Sequence, residues 1–296
     1  MPVKTTTDNS GKVIKVVIID TSGSVAVVYN HGATITSWVS QGKERLFLSK
    51  NAVFDNQKPI RGGIPIVFPQ FGPGDIRQHG IARINYWEFL GYKDEINGVK
   101  AKFLLKDSEA TKEWIHSFRL TYTILLSENN LSLSLECTNT DTSPFTFTTL
   151  LHTYFRTLDV SNVKVGGLKN LKYNDKVTKQ ENLVEDREAV TVSKSEDRIY
   201  YNAPETVIVD LGSNERISIE KKNFNDIGKY DTSVLFTITW FIIVFWNPWE
   251  ELSKGMSDFG DEEYKEMVCV EAGTVGEPIS LEPGYEWKGE MTLTVL

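Results

Sequence analysis

Cysteine is scarce: Cys137 and Cys269 are the only two in 296 residues. With no CxxC pair and no dense spacing, neither a disulfide framework nor a thiolate zinc site is suggested, and a reducing, cytoplasmic compartment fits best. Histidine is sparse as well. His31, His79, His116 and His152 lack metal-ligand spacing, so no metal is required. Positive charge falls short of negative, with a formal net charge of -8. That balance excludes general attraction to a polyanion, because non-specific nucleic-acid binding rests on many Lys and Arg contacts to phosphate. Long apolar runs are missing too. The longest, Val234 to Trp246 ("VLFTITWFIIVFW"), is well short of the roughly 20 residues a membrane helix needs, and it reads as a buried strand. The opening "MPVKTTTDNSGKV" lacks the apolar core of a signal peptide. GxSxG, P-loop, GxGxxG and HExxH motifs are all absent.

What is present is alternation. In "LSLSLEC" Leu131, Leu133 and Leu135 fall on one face and Ser132, Ser134 and Glu136 on the other, the pattern of a strand with one wet side. "FRLTYTILL" (118–126) precedes it, and the intervening "SENN" reads as a hairpin loop. Similar segments recur to "GEMTLTVL" at 289–296, with short helices expected only near Ser108 and after Asn247. In the second of these Asn247 serves as cap, Pro248 takes the first helical position, and Glu250 can reach back. No repeat, low-complexity tract or linker divides the chain. The expectation is an all-β fold and one domain over 1–296, built as a large antiparallel β-sandwich of two sheets with a few short peripheral helices.

Four stretches carry residues capable of chemistry. In "KPIRGGIPIVFPQFG" (58–72) three prolines interrupt an apolar run. Gly62 and Gly63 permit close approach of a ligand to backbone N–H groups, and Arg61 offers a fork for phosphate or carboxylate. An exposed Arg on a Gly-Gly turn is the ordinary alternative. In "QHGIARINYWEF" (78–89) Gln78, His79 and Arg83 cluster ahead of an aromatic strand, a position from which polar side chains point into clefts. A structural role for His79 competes equally. In "FTFTTLLHTYFR" alternation puts His152 on the face of Leu150 and Tyr154, where a hydrogen-bonded core histidine is the more common outcome. In "MVCVEAGTVGEPISLEPGYEW" Glu271 leaves an apolar strand toward a Gly turn. Partial desolvation there would raise its pKa and make it a better proton acceptor near neutrality. Asp197 and the Trp246-Asn247-Pro248-Trp249 segment add polar and aromatic material suited to a sugar pocket.

Taken in order, "HGATITSWVSQGKERLFLS", "RGGIPIVFPQFG", "QHGIAR", "LLHTYFR", "WNPW", "CVEAG" and "ISLEPGYEW" resemble the aldose-1-epimerase superfamily, specifically its hexose-6-phosphate branch, across nearly the whole chain. The resemblance implies the galactose mutarotase-like supersandwich, no cofactor, a monomer, and a small-molecule sugar phosphate as partner. It implies His152 as catalytic acid and Glu271 as catalytic base, on opposite sides of a pyranose C1–O5 bond, with a protonated imidazole as proton donor. It assigns substrate binding to Arg61, Gln78, Arg83 and Asp197, beside which His79 stands in the same segment as Gln78. The arginine pair favours hexose 6-phosphates, glucose 6-phosphate first, over free hexoses. An aldose 1-epimerase for unphosphorylated sugars and a non-catalytic carbohydrate-binding sandwich stay open as alternatives. One departure from the family pattern is about ten extra apolar residues, roughly a strand's worth, before Trp246.

Overall fold

A computed structural model describes residues 1–223 and 241–296. Two large sheets make up most of it. In the nine-stranded sheet the strands Phe118–Leu126 and Asn130–Asn139 pair Leu131 with Leu126 through Asn139 with Phe118, closed by the 127–129 loop. Leu131, Leu133 and Leu135 are buried on the inner side, as their spacing predicts. The eight-stranded sheet contains Phe145–Leu151, Glu196–Ala203, Phe241–Asn247 and Met267–Leu281. One apolar cluster joins the two: Tyr122, Ile124 and Leu293 from the first meet Leu151, Phe245, Val270 and Ala272 from the second. All named strand pairs are antiparallel.

Two sheets were expected, but a third is present. Five strands from Val3–Thr7 to Lys43–Glu44 form a separate antiparallel meander, irregular at Thr6/Thr7 and Val27/Val28. Alternation identifies strands but carries no label for which sheet they join. The helical expectation near Ser108 shrinks to a single 3-10 turn, Glu109–Thr111, where Ser108 and Thr111 cap each other. Beyond it Trp114 leaves the helical path and packs its ring against Phe68, Phe118 and Phe145. After Asn247 a five-residue helix, Trp249–Ser253, does form, and Asn247 Oδ1 accepts from the Trp249 N–H at 2.8 Å. Glu250 does not reach back; it pairs with Lys254 at 2.6 Å. Of the apolar run 234–246, the part from Phe241 is a strand pairing with Met267–Leu281, and 234–240 lies outside the described residues.

The register of the eight-stranded sheet decides what faces outward. Asp197 pairs with Trp246, Trp246 with Cys269, Val244 with Glu271, and Leu150 with Gly273. Side chains directly opposite each other share a face. The neighbours Phe245, Val270, Ala272 and Leu151 fill the inner core, so this opposite set is turned away from it. Val244 and Leu150 form a small apolar cluster there with Val67 and Ile242.

Candidate active site

On that outward face lies a cavity of about 440 Å³. All seven residues singled out from the sequence line it: Arg61, Gln78, His79, Arg83, His152, Asp197 and Glu271. They come from distant parts of the chain, brought together by strand pairing.

His152 sits where the Phe145–Leu151 strand stops, and its N–H donates to the Pro65 carbonyl at 3.0 Å. Its ring stacks on Tyr154 (centroids 4.6 Å apart, 10° between planes) and meets Trp246 edge-on at 5.9 Å. The aromatic surround expected from the sequence is therefore present, and Leu150, His152 and Tyr154 do avoid the inner core. Trp246 lines the cavity, whereas Trp249 turns away onto Tyr264 and Asn247 is buried, donating to the Tyr264 and Met267 carbonyls.

Glu271 does not leave its strand. Met267–Leu281 continues for fifteen residues, and Gly273 makes no turn. Glycine is needed there because an added Cβ would lie 2.7 Å from both Leu150 Cβ and the Thr149 carbonyl. The small residue lets the two strands approach closely, and this carries Glu271 to His152. Nδ1 of His152 is 3.2 Å from Oε1 of Glu271. Acid and base candidates are thus side by side, not across a ring from each other. Such placement suits O1 and O5 of a pyranose, which are both bonded to C1.

For Glu271 the direction of the pKa shift is the expected one, and for His152 it runs against a protonated imidazole. Burial pushes Glu271 well above the usual carboxylate range, with Asp197 adding to it. Burial likewise holds His152 well below 6.5, reinforced by His79, Arg83 and Arg61. Burial thus disfavours the charged form of each group, the imidazolium and the carboxylate alike. At 3.2 Å the two are close enough that a small realignment would let a proton pass from one to the other.

Gly62 and Gly63 serve neighbouring backbone rather than a ligand. Their φ values are +116° and +67°, and a Cβ would come within 2.5 Å of the Phe47 carbonyl and 2.0 Å of the Ile35 carbonyl. The tight turn delivers Arg61, whose Nη1 donates to the Tyr154 hydroxyl at 3.2 Å and whose Nη2 is 3.2 Å from Asp258 Oδ2. Burial opposes the Arg61 charge, but Tyr154 and Asp258 outweigh it and hold the group protonated. Arg83 donates to the Gln78 carbonyl at 2.8 Å, and burial together with Arg61 brings it down to about 10. The Nε atoms of both arginines are buried without a hydrogen-bond partner among the described residues. His79 adopts φ +64°, and its Nδ1 accepts from the Gly72 N–H at 3.2 Å. Burial, then Arg83, Lys176 and Arg61, lower it to about 3.

Sequence reasoning missed Lys176 and Asp258. Lys176 lines the cavity with its Nζ 4.8 Å over the Phe71 ring, and its N–H donates to the Asp197 carbonyl at 2.8 Å. Nothing in "YNDKVTK" separates this lysine from any other on a polar turn. Asp258 was equally unreadable, and Tyr154 was read beside His152 but not as a partner of Arg61, since both contacts depend on Arg61 arriving from another segment. Asp197 was found, and burial raises its carboxyl against the opposing pull of Lys176.

The family model described as Aldose 1-epimerase matches residues 15–294. A protein of Cenchrus ciliaris named "Putative glucose-6-phosphate 1-epimerase" is 36% identical, covering 95% of this chain and 84% of its own. A protein of Escherichia coli K12 with the same name is 32% identical, covering 89% and 84%. Among solved structures, a mutarotase homologue from Salmonella typhimurium superposes with a TM-score of 0.82 at 30% identity, over 95% of this chain and 90% of that one.

Proposed function

Because the chain belongs to the aldose 1-epimerase family, we propose that it interconverts the α and β anomers of hexose 6-phosphates, with glucose 6-phosphate the first candidate. The observation that carries this reading is the placement of the His152–Glu271 couple with Arg61, Arg83 and Lys176 around the same cavity.

In the proposed reaction Glu271 takes the proton of the C1 hydroxyl while His152 protonates the ring oxygen. The C1–O5 bond breaks, the aldehyde rotates about C1–C2, and reclosure with the reverse proton movements gives the other anomer. The substrate itself prepares the acid. Arg61 and Arg83 depress the imidazole in the empty site; a phosphate dianion bound to them offsets their field and makes His152 easier to protonate. With Nδ1 turned to Glu271, Nε2 remains for the sugar. Asp197 and Gln78 supply hydrogen bonds to hydroxyls, and Trp246 gives a flat apolar wall. All groups needed for proton transfer are side chains, in accord with a cofactor-free reaction.

Two arginines at one cavity suit an anionic 6-phosphate better than a neutral hexose, which disfavours the alternative substrate class. NMR exchange spectroscopy of glucose 6-phosphate and of glucose tests the reading directly. Accelerated exchange of the phosphate ester, abolished in Glu271→Gln, is expected; acceleration of free glucose alone would overturn it. We also take 1–296 as one domain acting as a monomer, in keeping with one apolar cluster that runs from Val3 to Val295. Both cysteines are free and buried, which suits the cytoplasm. No helix among the described residues is long and apolar enough to cross a membrane.

A further inference from the structure

We propose that His152, Cys269 and Glu271 form a binding site for a thiophilic divalent cation of the zinc type, and that its occupancy switches the acid–base pair off. The inhibitory half rests on the function proposed above; the binding half does not.

Cys269 and Glu271 are two positions apart on one strand and so project from the same face. Cys269 pairs with Tyr154, on which His152 stacks. One nitrogen, one sulfur and one carboxylate oxygen therefore converge, all within 4.8 Å of one another. Relative exposures are 8% for His152, 0% for Cys269 and 1% for Glu271. Nδ1 of His152 and both carboxylate oxygens of Glu271 lack hydrogen-bond partners among the described residues, so the 3.2 Å approach of the pair is not aligned as a hydrogen bond. Buried polar atoms without partners are costly, and one cation would satisfy Nδ1 and one carboxylate oxygen together with the thiol.

The donor set matches zinc. Tetrahedral bonds of about 2.0 to 2.3 Å place ligand atoms roughly 3.3 to 3.8 Å apart. The histidine and glutamate are already near that separation, and the sulfur needs about an ångström of movement. Three protein ligands leave the fourth position open toward the cavity, as in zinc sites that keep a water. Charge also balances. The cation brings two positive charges, while the thiol and the carboxyl each release one proton, so the buried site stays neutral before and after binding. Binding displaces the thiol proton, so affinity rises with pH. A bound cation takes the Glu271 and His152 lone pairs on which proton transfer depends. Nothing in the local spacing of the sequence could have shown this set, because the strands bring it together.

The test uses the full chain freed of metal by a chelator and titrated with Co²⁺, then competed with Zn²⁺. A thiolate-to-cobalt charge-transfer band and proton release are expected, and zinc should remove the band. In Cys269→Ser the band should vanish and zinc affinity fall at least about tenfold. Basal anomer exchange in that variant should stay within about twofold of wild type but resist zinc. Cys269→Ala serves as a second variant where serine disturbs packing, and Cys137→Ser should behave as wild type. Absence of the band in wild type, or equal zinc affinity in wild type and both Cys269 variants, overturns the site. A band without any anomer exchange would sink the proposed function and leave the cation site standing.

Discussion

Nδ1 of His152 lies 3.2 Å from Oε1 of Glu271, and both groups favour their neutral forms. As the proposed acid and base, the two must act together. Glu271→Gln and His152→Asn should each lower kcat for glucose 6-phosphate exchange by about 10² to 10⁴. The double variant should lose little more than the worse single one, because each group is idle without the other. NMR magnetisation transfer between anomers measures all three, and additive losses would show that the two act independently.

Arg61 and Arg83 should separate phosphorylated from free sugars. Losing a charge-assisted hydrogen bond costs about 1.5 to 3 kcal/mol, or roughly ten- to 150-fold in KM. Arg83→Ala should raise KM for glucose 6-phosphate by that factor with a much smaller effect on kcat. Asp258 competes for Arg61 at 3.2 Å, so Asp258→Asn should tighten phosphate-ester binding. Weaker binding in that variant would mean that Asp258 orients the guanidinium instead.

His79 predicts a direction for stability against pH. Its pKa is about 3 in the folded chain and near 6.5 unfolded. Below pH 6.5 the unfolded chain binds a proton that the folded one refuses, so stability is lost as pH falls from about 6.5 toward 3. One proton corresponds to at most about 1.4 kcal/mol per pH unit, reduced here because the ring is partly exposed. His79→Asn, whose side chain tolerates φ +64°, should flatten this slope. Urea midpoints between pH 7 and 4 read it out. His152, shifted the same way, should keep part of the slope in the variant.

Two glycines should respond differently. Gly63→Ala forces a Cβ to within 2.0 Å of the Ile35 carbonyl at φ +67°, a backbone clash that should cost roughly 2 to 4 kcal/mol in denaturant unfolding. Gly273→Ala meets Leu150 and Thr149 at 2.7 Å in extended backbone and wedges apart the strands that set the Glu271–His152 distance. Its main effect should be on kcat, about tenfold or more, since small misplacements of reacting groups are expensive. Equal loss of stability and unchanged kcat in both would count against that role for Gly273.

Much of the site was legible because its residues lie in ordered motifs that resemble a known family, whereas residue type alone left the structural reading ahead for Arg61 and His152. A histidine among "LLHTYFR", a glutamate in "CVEAG" and arginines beside glycines are uncommon enough in a β-rich chain to attract attention, and all of them line one cavity. Lys176 and Asp258 were not legible, since a polar residue on a turn looks alike whether it faces solvent or a ligand. The Gly62–Gly63 turn was misread for a related reason. A glycine shows that something approaches closely, not whether it is a ligand or the chain itself.

The amino-acid sequence alone determined that this is a sheet-built protein, which faces of its strands are apolar, and which residue types were available for proton transfer, because these follow from period-two alternation and side-chain chemistry. Tertiary structure alone decided that His152 and Glu271 stand side by side, that burial disfavours the charged form of both, and that a third sheet exists. Those properties depend on strand register and burial: pairing Val244 with Glu271 and Leu150 with Gly273 sets the distances, and withdrawal from water sets the charges.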